Sequence, residues 1–232
     1  MTNKRRAPSP GTVVLMLLVV FVIPFLPLLM TGRWDWWEAW VYALLCTVGF
    51  VAGRLLAARR HPDIIAERAG FRSHADTQPW DKVLAPVAAF GSGLIPVAAG
   101  LEALWPPSPG FSLAAELMSL VVLLFGYFVA SYALVENRFF SGVVRIQTDR
   151  GHHVVAGGPY RWVRHPGYAG AIAANLATPI FLDSPWALVP ALLVSAVLAV
   201  RTRLEDATLQ RLLEGYSAYA HQVRYRLLPG VW

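Results

Sequence analysis

The stretch "VVLMLLVVFVIPFLPLLM", residues 13–30, contains no charged side chain in 18 positions. A helix needs about 20 apolar residues to cross a hydrocarbon core of about 30 Å. Only 15% of the chain is charged, against about 25% in soluble domains. Five other stretches approach spanning length: Trp36–Leu56, Val83–Leu104, Leu113–Val135, Tyr168–Leu182 and Trp186–Val200. The pattern predicts an all-α, multi-pass integral membrane protein with five to six transmembrane helices.

The last two apolar stretches are short and are separated by Asp183, Ser184 and Pro185. They predict a short C-terminal helical hairpin. A second helix that ran from Pro185 to Glu214 would be about 45 Å long, so its last turns would leave the membrane. We expect residues 1–136 to form an N-terminal scaffold of four spans. Residues 137–232 are expected to hold the functional site, with a polar loop, the hairpin and a cytoplasmic tail.

The net charge of +6 raises the question of a nucleic-acid partner, and the distribution of the charges argues against one. With six spans, Arg33 is the one basic side chain on the far side of the membrane. The positive-inside rule therefore places both termini and the site in the cytoplasm. The basic residues on that side are Lys4, Arg5, Arg6, Arg54, Arg59, Arg60, Arg68, Arg72, Lys82, Arg138, Arg145, Arg150, Arg161, Arg164, Arg201, Arg203, Arg211, Arg224 and Arg226.

Residues 157–170, "GGPYRWVRHPGYAG", interrupt the apolar pattern just before the hairpin. Each proline disfavours the α conformation in the residue before it, here Gly158 and His165. Backbone groups freed in this way can bond a ligand, and ionisable side chains at a membrane interface are functional candidates. Arg161, Arg164 and His165 are therefore candidates, with a basic interfacial loop as the alternative.

A second polar cluster lies on the last predicted helix. Arg201 and Glu205 are four residues apart and share one helix face. They are either part of a site or a surface ion pair. The tail "GYSAYAHQVRYRLLPGVW", residues 215–232, is compatible with an amphipathic helix on the membrane surface. The glycine-proline run, the Arg201–Glu205 pair and the tail each indicate little about function alone. Their order along the chain is a more specific indication.

Three segments in this order resemble the isoprenylcysteine carboxyl methyltransferase family: "GHHVVAGGPYRWVRHPGYAG", "RTRLED" and "YSAYAHQVRYRLLPGVW". The wider group includes phospholipid N-methyltransferases. The resemblance covers Asn137–Trp232 and makes residues 137–232 the methyltransferase catalytic region. It implies binding of S-adenosyl-L-methionine at the cytoplasmic membrane face without a Rossmann domain. In agreement, no G-x-G-x-x-G motif follows a predicted strand.

The resemblance also implies roles for individual residues. Glu205 matches the acidic residue that contacts the cofactor, and Arg201 matches the arginine that faces the methyl acceptor. The roles of Arg145, where the eukaryotic enzymes have glutamine, and of Asp206, where the family often has a second glutamate, stay open. The implied cofactor-binding residues are His152, His153, Val154, Val155, Tyr160, His165, Pro166, Gly167, Tyr168 and Glu205.

The residue types favour one kind of acceptor. A carboxylate is ionised at neutral pH and needs only a cation such as Arg201 to orient it. An amine must lose a proton to a base such as Glu205, Asp206 or His165. We therefore expect carboxyl O-methylation of a lipophilic, prenylcysteine-like acceptor. The alternative within the group is a phospholipid amine N-methyltransferase.

A second alternative, outside the methyltransferases, is a membrane sterol-type reductase, which would bind the 2′-phosphate of NADPH through Arg161 or Arg164. No metal site is expected, because His152, His153 and His165 lack an accompanying thiolate or carboxylate cluster. The acceptor is expected to enter from the bilayer between the fourth span and the hairpin. The arginine-rich composition suggests a prokaryotic inner membrane.

Overall fold

The structure, a computed structural model, describes residues 10–70, 74–105 and 110–232. In this part of the chain every regular element is helical, which confirms the predicted all-α fold. The α-helices are α1 (Pro10–Phe21), α2 (Leu26–Thr31), α3 (Trp37–Arg60), α4 (Ile64–Ala69), α5 (Asp81–Glu102), α6 (Leu113–Glu136), α7 (Pro166–Phe181), α8 (Leu188–Leu212) and α9 (Tyr216–Gln222). Four residues used for the predicted orientation lie outside the described ranges: Lys4, Arg5, Arg6 and Arg72.

Three helices, α3, α5 and α6, are long and apolar enough to cross a membrane. They coincide with the second, third and fourth predicted spans. Residues Leu17–Thr31 form a shorter apolar helical stretch. The chain therefore has the apolar helices of an integral membrane protein.

The first predicted span is not one continuous helix. It divides into α1, a 3₁₀ turn at Ile23–Phe25, and α2. Pro24 and Pro27 lack the N–H groups that a continuous helix would use at these positions. In contrast, α5 continues through its two internal prolines, Pro86 and Pro96.

The C-terminal hairpin has the predicted form, with a short helix α7 of 16 residues and a longer helix α8 of 25 residues. Its tip is attached to the end of α5. The Ser184 hydroxyl donates to Glu102 Oε2 at 2.5 Å, and the Trp186 amide donates to the same oxygen at 3.0 Å. As predicted, α8 runs without a break through Arg201 and Asp206.

The predicted entrance between the fourth span and the hairpin is wrong, because α6 and α7 meet backbone to backbone. A Cβ atom built on Gly126 would lie 2.6 Å from the Gly170 carbonyl oxygen, and one on Gly170 would lie 2.4 Å from the Gly126 oxygen. Ala130 and Ala174 continue the contact one turn further along each helix. This is small-xxx-small packing, which lets helices approach closely and leaves no gap for a lipid chain.

The Gly126→Ala variant is expected to lose about 1–3 kcal/mol of stability, because the added methyl group overlaps backbone atoms that cannot rotate away. The midpoint of thermal unfolding in detergent measures the loss. Gly49→Ala is the matched control, since a Cβ atom there would meet only Tyr127 at an ordinary 3.6 Å. Equal midpoints for the two variants would contradict the tight contact.

Candidate functional site

A cavity of about 670 Å³ is lined by residues from both halves of the chain. Its first part, the membrane lining, comes from α3, α5 and the segment around the 3₁₀ turn. The membrane lining includes Val20, Ile23, Cys46, Gly49, Phe50, Ala88 and Phe90. The second part, the polar lining, comes from residues 137–168 and from α8 and α9. It includes His152, His153, Tyr160, His165, Tyr168, Arg201, Glu205, Tyr216 and Tyr219.

The cavity brings together nearly all of the residues predicted for the site. Those on its lining are His152, His153, Val154, Val155, Tyr160, His165, Gly167, Tyr168, Arg201 and Glu205. Pro166 does not line the cavity and is buried at the first position of α7. Proline suits this position because its missing N–H would be unpaired there in any residue. Its place in the motif is therefore explained by helix initiation.

Glu205 is held in the polar lining by a tyrosine of the neighbouring helix. The Tyr168 hydroxyl donates to Glu205 Oε2 at 2.5 Å. The guanidinium carbon of Arg201 lies 5.4 Å from the centre of the Tyr168 ring. The predicted shared face of Arg201 and Glu205 is therefore present, with Tyr168 between α7 and α8.

Arg201 forms its ion pair with Asp81, the first residue of α5. Its Nε donates to Asp81 Oδ1 at 2.6 Å, and its Nη2 donates to Asp81 Oδ2 at 3.0 Å and to the Gly142 carbonyl at 3.0 Å. Asp81 is fully buried and also accepts the Val144 amide at 2.6 Å. Two of the three guanidinium nitrogens are thus occupied. The sequence predicted a bidentate interaction between Arg201 and the acceptor. That interaction would require the ion pair between Arg201 and Asp81 to break.

Asp206 joins the loop before α7 to the tail. It is fully buried and accepts Arg164 Nε at 2.7 Å, Arg226 Nε at 2.8 Å and the Tyr216 hydroxyl at 3.0 Å. Its Oδ1 also lies 3.2 Å from His165 Nε2. Burial alone would raise the pKa of Asp206, but these donors hold it far below the ordinary range. Asp206, whose role the sequence left open, is therefore a buried anchor: a carboxylate that holds the loop before α7 and the tail against α8.

Arg164 also bonds the tail directly. Its Nη1 donates to the carbonyls of Val223 and Arg224, both at 2.8 Å. The Arg164 and His165 amides donate to the carbonyls of Tyr225 and Arg226, each at 2.9 Å. The guanidinium of Arg164, a candidate site residue, is therefore used in contacts within the protein. Arg161 is exposed and does not line the cavity.

Residues 152–155 line the cavity in a segment without regular secondary structure. His152 Nδ1 accepts the Gln147 amide at 3.2 Å. Burial, with the charge of nearby His153, lowers the pKa of His152 to about 4, so the ring is neutral at physiological pH. The amides and carbonyls of residues 153–156 make no backbone bonds within the described part of the chain. They are available to a ligand.

Tyr160 and Gly167 are placed by tight packing. The Tyr160 hydroxyl accepts Asn137 Nδ2 at 3.1 Å, and its carbonyl accepts the Tyr219 hydroxyl at 2.7 Å. A Cβ atom on Gly167 would lie 2.5 Å from the Phe140 ring, so a larger residue there would have to displace that ring. Both residues bring the start of α7 against the loop and the tail.

Arg145, whose role was open, links the loop after α6 to α4 and to the loop before α5. It donates to Glu67 at 3.0 and 2.9 Å, to Asp76 at 3.0 Å and to Asp149 at 2.8 Å. Across the described residues, no three His, Cys, Asp or Glu side chains are grouped in a way that could hold a metal ion.

Comparison with known proteins identifies relatives of the second half. Residues 118–211 match the model of the isoprenylcysteine carboxyl methyltransferase (ICMT) family. Two rice proteins, from Oryza sativa subsp. indica and japonica, each named "Probable protein-S-isoprenylcysteine O-methyltransferase", are 33% identical over 78 residues. That alignment covers 33% of this chain and 41% of each rice protein. The chain thus spans less than half of the length of these relatives.

A third relative is the Lamin-B receptor of Drosophila melanogaster, which is 32% identical over 105 residues. That alignment covers 42% of this chain and 14% of the receptor. The family match begins within α6 and ends within α8, so it includes the polar lining up to Glu205 but neither the tail nor Asp81. The resemblance inferred from sequence is confirmed: residues 118–211 carry the pattern of the isoprenylcysteine carboxyl methyltransferase family.

Proposed function

We propose that the protein is a membrane methyltransferase that uses S-adenosyl-L-methionine to methylate the carboxylate of a lipophilic, prenylcysteine-like acceptor. The observation that carries the proposal is one cavity that joins a polar lining around Glu205 to an apolar lining among membrane helices. A polar methyl donor and an acceptor with a hydrocarbon tail can both be accommodated in a site of this kind. The family match and the names of the rice relatives support the same reaction.

The residues of the polar lining fit S-adenosyl-L-methionine. The whole cavity, including its membrane lining, has a volume of about 670 Å³, within the usual 300–1,000 Å³ of ligand pockets. The Glu205 carboxylate and the rings of Tyr160 and Tyr216 suit a cationic ligand. The unpaired backbone of residues 153–156 offers the amides and carbonyls that a purine edge bonds. When bound, the cofactor supplies an electrophilic methyl group on a sulfonium.

The chain's own contribution is to position the reactants and to exclude water. A carboxylate acceptor needs no general base, and none of the site residues has to take a proton. Tyr168 fixes Glu205 by its hydrogen bond, so the carboxylate does not have to be ordered when ligand binds. A poorly solvated cavity favours a reaction in which two opposite charges cancel.

The reductase alternative loses support from the two arginines on which it depended. The Arg164 guanidinium is taken up by Asp206 and by tail carbonyls. Arg161 lies on the exposed surface outside the cavity lining. Arg164 lines the cavity, but its guanidinium is already bonded, and Arg161 lies off the cavity, so the 2′-phosphate of NADPH has less support than the methyl donor.

The membrane arrangement is also a proposal. Five to six spans, with both termini and the site in the cytoplasm, follow from adding the first apolar stretch and the hairpin to α3, α5 and α6. The positive-inside asymmetry supports this orientation. Residues 1–136 would then supply the membrane lining and residues 137–232 the cofactor-binding region. The prokaryotic inner membrane stays a prediction from composition, and the relatives named above are from rice and fruit fly.

We expect the Glu205→Gln variant to bind S-adenosylhomocysteine at least tenfold more weakly than the wild type, because it loses a charged hydrogen-bond acceptor. Isothermal calorimetry on the detergent-purified protein measures the change. Glu214→Gln is the matched control, since Glu214 is exposed just beyond the end of α8. NADPH is titrated in parallel. Binding of NADPH without binding of S-adenosylhomocysteine would overturn the proposed function.

A further inference from the structure

Most buried or half-buried arginines of the described residues are neutralised by a carboxylate. Arg145 pairs with Glu67, Arg150 with Asp63, Arg164 with Asp206 and Arg201 with Asp81. Arg54 and Arg68 are also partly buried, but neither forms an ion pair with a described carboxylate. A buried cation without a counter-charge is costly, so this pair requires a physical explanation.

Arg54 lies on α3, six residues before Arg60 ends the helix. At 1.5 Å per residue this is about 9 Å from the cytoplasmic end proposed above. Its guanidinium carbon lies 3.1 Å from the centre of the Phe50 ring, and its Nη1 is 3.5 Å from the Phe50 carbonyl. These contacts fold the side chain back along its own helix without neutralising its charge.

Arg68 reaches the same cavity from α4. Its Nη1 donates to the Phe140 carbonyl at 3.2 Å, and its guanidinium carbon lies 5.4 Å from the centre of the Phe140 ring. Burial, together with the charge of nearby Arg201, lowers the pKa of Arg68 to about 10. The group remains charged at neutral pH and is short of negative partners.

Both arginines line the cavity beside residues of its two parts. Phe50, one turn before Arg54 on α3, belongs to the membrane lining, whereas Phe140 and Arg201 belong to the polar lining. Arg201 already has Asp81 as its counter-charge. The uncompensated positive charge of the cavity therefore lies on Arg54 and Arg68. A ligand with an anionic head and an apolar tail would match this arrangement.

We propose that Arg54 and Arg68 form the binding site for the carboxylate of the methyl acceptor, with the acceptor's hydrocarbon tail along the membrane lining. The choice of a carboxylate rests on the proposed function. Arginine binds carboxylates through paired N–H donors, and two guanidiniums can hold one carboxylate while leaving an oxygen lone pair free to react. Neither residue lies in the segment that matches the family model.

The test compares N-acetyl-S-farnesylcysteine with its carboxamide, which lacks the negative charge. Binding of each to the protein in lipid nanodiscs is measured by calorimetry, without any methyl transfer. We expect the wild type to bind the acid at least tenfold more tightly than the amide. Arg54→Gln and Arg68→Gln are expected to bind the two compounds about equally. Arg59→Gln, on the exposed side of α3 and off the cavity, is the matched control and is expected to keep the wild-type preference.

Affinity for S-adenosylhomocysteine, measured on the same samples, separates the possible sources of the carboxylate. Unchanged affinity in both variants supports the acceptor site. A loss of this affinity with the acid preference retained would show that the pair holds the cofactor's own carboxylate, and it would overturn the proposal. Equal binding of acid and amide by the wild type would also overturn it. Arg54→Lys, which keeps the charge, is expected to retain part of the preference, and this guards against a mere folding defect.

The two proposals can fail separately. Absence of S-adenosylhomocysteine binding in the wild type would count against methyl transfer. A preference for the acid that depends on Arg54 and Arg68 would still assign an anion site to this cavity.

Discussion

Asp206→Asn is expected to destabilise the protein by about 3–5 kcal/mol, the usual cost of breaking a buried ion pair by removing one partner. The substitution keeps the size of the side chain and removes its charge. Arg164 and Arg226 would lose their shared counter-charge, and the donors that face the new NH2 group would lose their acceptor, because asparagine keeps only one of the two carboxylate oxygens. Because these donors belong to the loop before α7 and to the tail, both segments should detach from α8 together.

Thermal unfolding in detergent measures this effect, and limited proteolysis of the tail reports the detachment. Glu214→Gln is the control, since it removes a charge from an exposed position near the same helix end. The pKa of Asp206 is depressed in the folded state, so its contribution is complete above the pKa of an unfolded aspartate, about 4. It is lost only as the pH falls towards the folded value. The difference between wild type and variant should therefore be constant from pH 5 to pH 8, and a difference that shrank across this range would contradict the buried-anchor role.

Asp81→Asn and Arg201→Gln are each expected to cost about 3–5 kcal/mol, because either one leaves a buried charge without its partner. The double variant should cost less than the sum of the two, since neither unpaired charge remains. A double-mutant cycle of unfolding free energies measures this coupling. Lys82→Gln, next to Asp81 but exposed, is the control.

The same variants test what Arg201 does in the site. If Arg201 acts only as the partner of Asp81, the double variant, which removes both charges, should keep the wild-type preference for N-acetyl-S-farnesylcysteine over its carboxamide. Loss of that preference in the double variant would instead give Arg201 a direct contact with the acceptor. Additive stability effects in the cycle would contradict the pair itself.

Local patterns in the sequence were sufficient for the helices and for most of the polar lining. Apolar length located α3, α5 and α6, and the proline-glycine run marked the start of α7. The order of the motifs predicted that His152, Tyr168 and Glu205 share one site, and all three line the cavity. They do so because the hairpin folds the adjacent segments that carry them against each other.

Sequence reasoning missed the residues that act across long distances in the chain. Asp81 is 120 residues from Arg201, and at the start of an apolar stretch it reads as an ordinary first-turn acid. Arg54 and Arg68 read as positive-inside charges, and that pattern cannot tell a lipid-facing arginine from one inside a cavity. The predicted acceptor entrance between α6 and α7 was wrong for a similar reason. The contact between Gly126 and Gly170 exists only in the folded protein, so the sequence around either glycine does not reveal it.

The glycine contact between α6 and α7 also has a consequence for how the protein is made. With 16 residues, α7 is about 24 Å long, which is shorter than a hydrocarbon core of about 30 Å. Such a segment inserts poorly when it emerges alone from the ribosome. By then α6 has been synthesised, and its Gly126 surface offers a ready docking place. We expect α7 to enter the bilayer against α6 rather than as an independent unit, so the order of synthesis becomes part of how the cavity is assembled.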